Sequence, residues 1–229
     1  MTDTGQGGTL ARTHEGQPGL PRGRSHLPRP AVRASQRERL LRSVIAAVSE
    51  SGYLAVTVTD IVRRAKVSRA AFYAQFADKE DCFLSATAEG RELMIGQVAS
   101  ATRALPAEAS DEEILRVACR AYLAFLAGEP EFARVFYIHM PTAGPRAVNR
   151  LDAGTGLFAD LNQRWHQRAR KHHPEWPAVP AEVYLALAGA GFELVRSIVR
   201  ADRTDTLPEL EDTLVSLHLA VLAARPWPD

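Results

Sequence analysis

Four side chains within a short stretch of the chain could hold a phosphate or read the edge of a base. Ser68 offers a hydroxyl group, Arg69 a guanidinium, Tyr73 a phenol and Lys79 an ammonium. In protein–DNA complexes, basic groups pair with base edges, and hydroxyl and basic groups pair with phosphate oxygens. Ala70 lies among them and is small enough to let a base approach. These residue types predict contact with a nucleic acid.

Two short helices must position these side chains. The spacing of apolar residues predicts helices over 58–65 and 69–75, and Lys66-Val67 forms the turn between them. Thr57 and Ser68 are placed to cap the two helices through their hydroxyl oxygens. Two short helices joined by a tight turn form a helix-turn-helix, whose second helix lies in a DNA major groove.

The second helix divides into two faces by its spacing. The residues expected to face the core are Ala71, Phe72 and Phe76, and those expected to face outward are Arg69, Ala70, Tyr73 and Ala74. Asp78 then caps a long helix with Lys79 in its first turn. Two alternatives stay open: Tyr73 could be a half-buried core aromatic, and Lys79 could be a solvated lysine.

Charge is distributed unevenly along the chain. Residues 1–87 contain 13 Lys and Arg against 8 Asp and Glu, whereas residues 88–229 contain 15 against 19. A basic front and an acidic rear indicate that only the front meets a polyanion. Residues 1–30 are rich in Gly, Pro, Thr and Arg, and we predict a disordered arm there. This arm could follow nucleic acid or be an inert tail.

The rest of the chain predicts further helices and no strand. The first helix is expected over 32–50 and the fourth ends near residue 101. The rear half predicts helices over 111–127, 130–140, 145–173 (with an interruption near Gly154–Gly156), 181–202 and 207–224. Ser110 with Glu113, and Thr206 with Glu209, resemble capping boxes. The fold class is therefore all-α, with about nine helices.

Several classes of function are disfavoured by the sequence. Cys82 and Cys119 are widely spaced and lack zinc-ligand spacing, which argues against a disulfide scaffold or metal site. There is no HExxH or GxSxG motif, so we expect no catalysis, no metal and no cofactor. No apolar run is long enough to span a membrane and no secretory signal is evident, so a cytoplasmic protein is expected.

The stretch from Thr57 to Glu80, TVTDIVRRAKVSRAAFYAQFADKE, resembles the signature of TetR-type (tetracycline-repressor-like) transcriptional regulators. The resemblance covers about residues 34–85. It implies a three-helix DNA-binding domain at 31–80, followed by a helical effector-binding and dimerisation domain at 81–229. Family members usually carry glycine where this chain has Lys66. A left-handed lysine would cost about 1 kcal/mol, so either the turn is not left-handed or Lys66 is tolerated because it faces phosphates.

The resemblance also implies partners and roles. The partners are double-stranded operator DNA, a small-molecule effector and a second copy of the chain in a homodimer, with no membrane. Arg69 and Ala70 would contact base edges. The complete set of expected DNA contacts is Thr57, Thr59, Lys66, Ser68, Arg69, Ala70, Tyr73 and Lys79.

Aromatic and polar residues in the rear half predict a ligand pocket, although a packed core is the simpler interpretation of each apolar one. The candidates are Tyr122, Phe125, Phe136, Met140, Phe158, Asn162, Trp165 and His166. The last two helices present apolar faces with small residues, which favour close packing between subunits. The candidates for this dimer interface are Leu185, Gly189, Phe192, Leu214, Leu217, His218 and Val221. These faces could instead cover the chain's own core.

The expected function is that of a ligand-responsive transcriptional regulator, a repressor that a small, largely apolar effector releases from a palindromic operator. The alternative is a helical adaptor that uses residues 58–80 for protein contacts. Steep salt dependence of duplex binding would distinguish the regulator from the adaptor.

Overall fold

The computed structural model describes residues 8–12 and 28–223, and over these residues the chain is helical with no strand. The helices are α1 (Arg29–Ser51), α2 (Val58–Ala65), α3 (Arg69–Tyr73), α4 (Lys79–Arg103), α5 (Asp111–Gly128), α6 (Pro130–Arg134), α7 (Pro145–Ala169), α8 (Ala181–Arg200) and α9 (Glu211–Leu222). The predicted all-α class with about nine helices is confirmed.

The chain forms two compact units. The first takes in the described residues up to Glu92 together with residues 129–144, and the second takes in Leu93–Gly128 and the described residues from Pro145 onward. The first unit is therefore larger than the predicted segment 31–80, because α6 and the residues after it pack against α1.

The first unit is built around the apolar stripe of α1. Leu40 and Val44 are completely buried, as are Ile61 of α2 and Phe72 of α3. The helix starts three residues before the predicted position 32, because Pro28 and Pro30 suit a helix N-terminus, where no backbone donor is needed. Its C-terminal end is fixed by Gly52, whose φ of 79° favours glycine.

Residues 8–12 of the expected disordered arm form a turn that binds the start of α6. Glu129 accepts hydrogen bonds from the Thr9 backbone N–H, the Thr9 hydroxyl and the Leu10 N–H, and Glu131 accepts one from Gly8. Only 8% of Glu129 is exposed. The rest of the predicted arm, residues 1–7 and 13–27, lies outside the described residues, and α1 already begins at Arg29.

Helix α6 continues through a π-helical turn (Val135–His139) and a 3₁₀ turn (Met140–Thr142), so helical structure covers the predicted segment 130–140. Phe132 is fully buried and lies directly against Gly90 of α4. This contact fixes α6 on α4.

In the second unit, α5 packs against α9 and α7 packs against α8. Arg120 of α5 donates two hydrogen bonds of 2.8 Å to Glu211, at the first position of α9. Buried residues here include Leu123, Val195 and Leu222.

Two predicted boundaries in this unit are wrong. Helix α7 runs through Gly154–Gly156 without interruption, with Gly154 buried along it, and it ends at Ala169. Helix α9 begins at Glu211, not 207, because Pro208 lacks a backbone donor and stands within a 3₁₀ segment, Thr204–Leu210. The Thr206 hydroxyl donates back to the Arg203 carbonyl instead of capping α9.

Membrane-spanning candidates were sought among the helices of residues 8–12 and 28–223, and none combines the length and the apolar character that a bilayer crossing requires.

Candidate nucleic-acid interface

The start of α2 is fixed by a reciprocal cap. The Thr57 hydroxyl accepts the Asp60 backbone N–H at 3.3 Å, and the Thr57 N–H donates to the Asp60 carboxylate at 3.1 Å. Hydrogen bonds from the Thr57 hydroxyl and N–H lower the pKa of Asp60 below its usual value. Sequence reasoning identified Thr57 but missed Asp60, although an acidic residue three positions after a threonine is the pattern of such a cap.

The turn after α2 is left-handed at Lys66, with φ 52° and ψ 44°. The Lys66 N–H donates to Arg63 and the Val67 N–H donates to the Val62 carbonyl at 3.1 Å, so the turn closes the C-terminal end of α2. Of the two alternatives for this turn, the one in which it is not left-handed is excluded. Lys66 therefore adopts a conformation that suits glycine better.

Helix α3 and the residues directly after it present two faces, although Ala71, which the sequence predicts to face the core, is only half-buried. The Ser68 hydroxyl accepts the Ala71 N–H at 3.1 Å and caps the helix. Phe72 and Phe76 are buried and their rings are in contact, with centroids 5.6 Å apart. The residues that point away from this core are all exposed, and they are Arg69, Ala70, Tyr73 and Ala74. Half of Tyr73 is exposed (51%), while its ring edge rests on Phe72.

Two arginines of α1 lie beside α3. The guanidinium of Arg37 stacks over the Phe76 ring at 4.8 Å, and Arg33 donates to the Ala74 carbonyl at 3.5 Å. These contacts join the first helix to the residues that directly follow α3. They add positive charge near the exposed face of α3.

Lys79 points its ammonium into the protein's own backbone. It donates hydrogen bonds of 2.8 Å to the carbonyl oxygens of Tyr53 and Val56, and it lies 4.1 Å from the centre of the Tyr53 ring. Burial lowers the pKa of Lys79. The sequence predicts a phosphate contact for this residue and gives no sign of these carbonyl partners, which belong to a distant turn.

The predicted ligand-pocket residues divide between the two units. Phe136 and Met140 are buried in the first unit, where Phe136 packs against Phe132 and Tyr137. The remaining six, all in the second unit, are Tyr122, Phe125, Phe158, Asn162, Trp165 and His166.

Within the second unit, aromatic rings surround a buried histidine. His166 is fully buried, its Nδ1 is 2.9 Å from the Tyr184 hydroxyl, and its ring stacks against Trp176. Burial lowers the pKa of His166 and raises that of Tyr184. Separately, Tyr122 and Phe158 meet edge to face at 5.5 Å. This arrangement places two polar groups among packed aromatic rings inside the unit.

The predicted dimer-interface residues differ in exposure. Leu185 is 51% exposed, and a Cβ added at Gly189 would meet no atom within 4 Å. Phe192, Leu217 and Val221 are half-buried. By contrast, Leu214 and His218 are buried within the protomer itself, so these two side chains belong to its own core.

Metal and thiol chemistry find no support in the part of the chain that the structure describes. No cluster of three or more His, Cys, Asp or Glu side chains there could hold a metal ion. Burial raises the pKa of Cys82, and it raises that of Cys119 to about 12. Both thiols are therefore protonated and unreactive at neutral pH.

The fold and this surface define an all-helical protein with an N-terminal helix-turn-helix. Residues 41–86 match the family model described as bacterial regulatory proteins, tetR family. The segment that holds α2 and α3 is thus similar to the tetR family of bacterial regulatory proteins. A search of curated protein sequences gives no match.

Solved structures show the same fold over most of the chain. The fatty acid degradation regulator FadR from Bacillus halodurans has a TM-score of 0.72 at 18% identity, covering 83% of this chain and 97% of that one. FadR from Bacillus subtilis in complex with stearoyl-CoA has a TM-score of 0.70 at 16% identity, covering 80% and 98%. A TetR-like transcriptional regulator from Rhodococcus sp. RHA1 has a TM-score of 0.63 at 22% identity, covering 87% of this chain and 100% of that one.

Proposed function

We propose that this protein is a ligand-responsive repressor that binds a palindromic operator as a homodimer and leaves it when a small, largely apolar effector binds. The observation that carries the DNA-binding role is the exposed face of α3, which presents Arg69, Ala70 and Tyr73 within a segment that matches the tetR family. A small residue between a guanidinium and a phenol suits an α-helix lying in a major groove.

Each part of the helix-turn-helix has a role in this proposal. Arg69 donates to base edges and Ala70 allows their close approach, so these two residues set sequence preference. The proposed phosphate contacts lie on the exposed rim, and they are Thr59, Lys66, Ser68, Tyr73 and the cap residue Thr57, whose hydroxyl donates to Asp60 at 2.6 Å and must change partner to reach a phosphate. Both Thr57 and Thr59 are exposed on α2 or at its cap, and phosphate contacts set orientation without reading sequence.

A homodimer follows from the proposed operator, because a palindrome has two equivalent half-sites and each half-site binds one helix-turn-helix. Two helix-turn-helix modules enter successive major grooves about 34–36 Å apart. The surface of α8 with exposed Leu185 and open space at Gly189 is suited to a helix from a second subunit. Small residues at such a surface let the helices approach closely.

The effector is proposed to bind the second unit, where aromatic rings and the polar groups of His166 and Tyr184 lie together. Effector binding releases DNA only if the ligand prefers a conformation that fits the operator poorly. Because FadR from Bacillus subtilis was solved with stearoyl-CoA, a long-chain acyl-CoA is the first compound to test.

Selection of bound sequences from random duplex DNA tests the DNA-binding role. We expect a palindrome to be enriched. We also expect a plot of log binding constant against log[salt] to have a negative slope of about 0.9 for each phosphate contacted. The adaptor alternative predicts no enrichment and weak salt dependence. Adding stearoyl-CoA to the enriched complex then tests the effector class, and release at micromolar concentration is the expected result. Light scattering at micromolar protein tests the dimer.

A further inference from the structure

The ammonium of Lys79, the first residue of α4, is used almost entirely inside the protein. An ammonium has three donors. Two of them serve the carbonyl oxygens of Tyr53 and Val56, both at 2.8 Å. The charge also lies 4.1 Å from the centre of the Tyr53 ring, which is cation–π geometry. At most one donor of this group is left for a phosphate.

Both carbonyls belong to the turn that leads into α2. Tyr53 and Val56 are buried at 7% and 4% exposure, so their backbone oxygens need partners within the protein. The Tyr53 ring also packs against Phe83, one turn further along α4, with centroids 4.8 Å apart. Two residues at the start of α4 therefore contact the loop at residues 53–56: Lys79 through its ammonium and Phe83 through its ring.

The residue that follows this turn is Thr57, the cap of α2. We infer that Lys79 is a positioning residue for DNA recognition, which fixes the start of α2 and with it the exposed Thr57 and Thr59, and is not itself a phosphate ligand. This inference rests on the proposed DNA-binding function. It replaces the phosphate contact that the sequence predicts for Lys79.

The two roles give different salt dependence. Losing a phosphate ligand lowers the slope of log affinity against log[salt] by about 0.9. Losing a positioning residue lowers affinity at every salt concentration and leaves the slope unchanged. The measurement uses the full-length protein, a pool of 30-bp random-sequence duplexes and a salt series.

We expect Lys79→Met to weaken binding about tenfold at unchanged slope, and Lys79→Arg to recover affinity to within about threefold, because a guanidinium can still donate to carbonyls. Lys171→Met is the matched control, since Lys171 is an exposed lysine of the second unit and should change neither quantity. Amide hydrogen exchange should accelerate at residues 57–61 in Lys79→Met alone.

A slope reduced by about 0.9 in Lys79→Met, with normal exchange at residues 57–61, would overturn the inference and make Lys79 a phosphate ligand. If Lys79→Met does not fold, Tyr53→Leu distinguishes the two roles. This substitution removes the ring that lies against the ammonium but leaves the charge of Lys79 in place. A several-fold loss of affinity at constant slope supports positioning, and unchanged affinity refutes it. Absence of duplex binding by the wild type refutes the proposed function itself.

Discussion

The ring of Phe132 in α6 occupies the space that a side chain at Gly90 of α4 would need. A Cβ built on Gly90 lies 2.2 Å from the ring's Cε2 atom, far inside van der Waals contact. Phe132 is fully buried, so it has little room to move. The approach of α6 to α4 therefore depends on the absence of a methyl group at one position.

Gly90→Ala is expected to destabilise the protein by about 1–3 kcal/mol, because the new methyl group overpacks this contact. The free energy of unfolding from urea titration measures the effect. Gly96→Ala is the matched control on the same helix, since its Cβ would meet no atom within 4 Å, and it should stabilise by up to about 1 kcal/mol. Equal effects of the two substitutions would contradict the packing argument.

Arg69→Ala and Tyr73→Ala should weaken DNA binding in different ways. Both side chains are exposed, so neither substitution should lower the melting temperature appreciably. Tyr73→Ala should reduce affinity for all sequences alike. Arg69→Ala should also relax base preference, by about 1–3 kcal/mol at the position it reads. Competition between the selected duplex and random duplexes measures this difference. If both variants lose affinity equally for all duplexes, the base-reading role of Arg69 is refuted.

Lys66→Gly should raise the free energy of unfolding by about 0.5–1 kcal/mol, because glycine adopts the left-handed conformation at lower cost. If Lys66 also faces a phosphate, the same substitution reduces the salt slope of DNA binding by about 0.9. Asp202→Gly, at the other non-glycine residue with positive φ (60°) in the part of the chain that the structure describes, is a control that should leave DNA binding unchanged. A Lys66→Gly protein that is less stable than wild type would contradict the argument from backbone strain.

Buried His218 should make stability fall in mild acid. Burial lowers its pKa, although its hydrogen bond with the Leu214 carbonyl acts in the opposite direction. The unfolded chain then takes up the proton at a higher pH than the folded chain. Stability from this group is therefore complete above about pH 6.5 and is lost as the pH falls through the folded value.

The melting temperature measured between pH 7.5 and pH 5 tests this expectation. In His218→Leu the decrease should be smaller than in wild type. Some decrease should remain, because burial also lowers the pKa of His166. Parallel curves for the two proteins would show that His218 carries no part of the pH dependence.

The helix-turn-helix could be predicted from sequence because its determinants are local. Thr57 and Ser68 cap helices within three residues of themselves, and Phe72 and Phe76 lie one turn apart on the inner face. The left-handed turn at Lys66 was one of two open alternatives, since lysine has no preference that would decide it. Local hydrogen bonding and helical spacing thus define the surface around α3.

Contacts between distant parts of the chain could not be predicted in the same way. Lys79 and Val56 are 23 residues apart, and no local pattern pairs an ammonium with a particular carbonyl. The predicted start of α9 was wrong because Thr206 and Glu209 match a capping pattern, whereas Pro208 between them keeps that segment in a tighter helix. The turn at residues 8–12 depends on Glu129, about 120 residues away.

The folded-back N-terminal turn also affects how shortened versions of the protein should be judged. A version beginning near Pro28 looks harmless, because it retains every α-helix that the structure describes. Yet it discards three donors, from Thr9 and Leu10, that bind the Glu129 carboxylate, and water must take their place beside the first turn of α6. Such a version differs from the full-length protein by more than a missing tail.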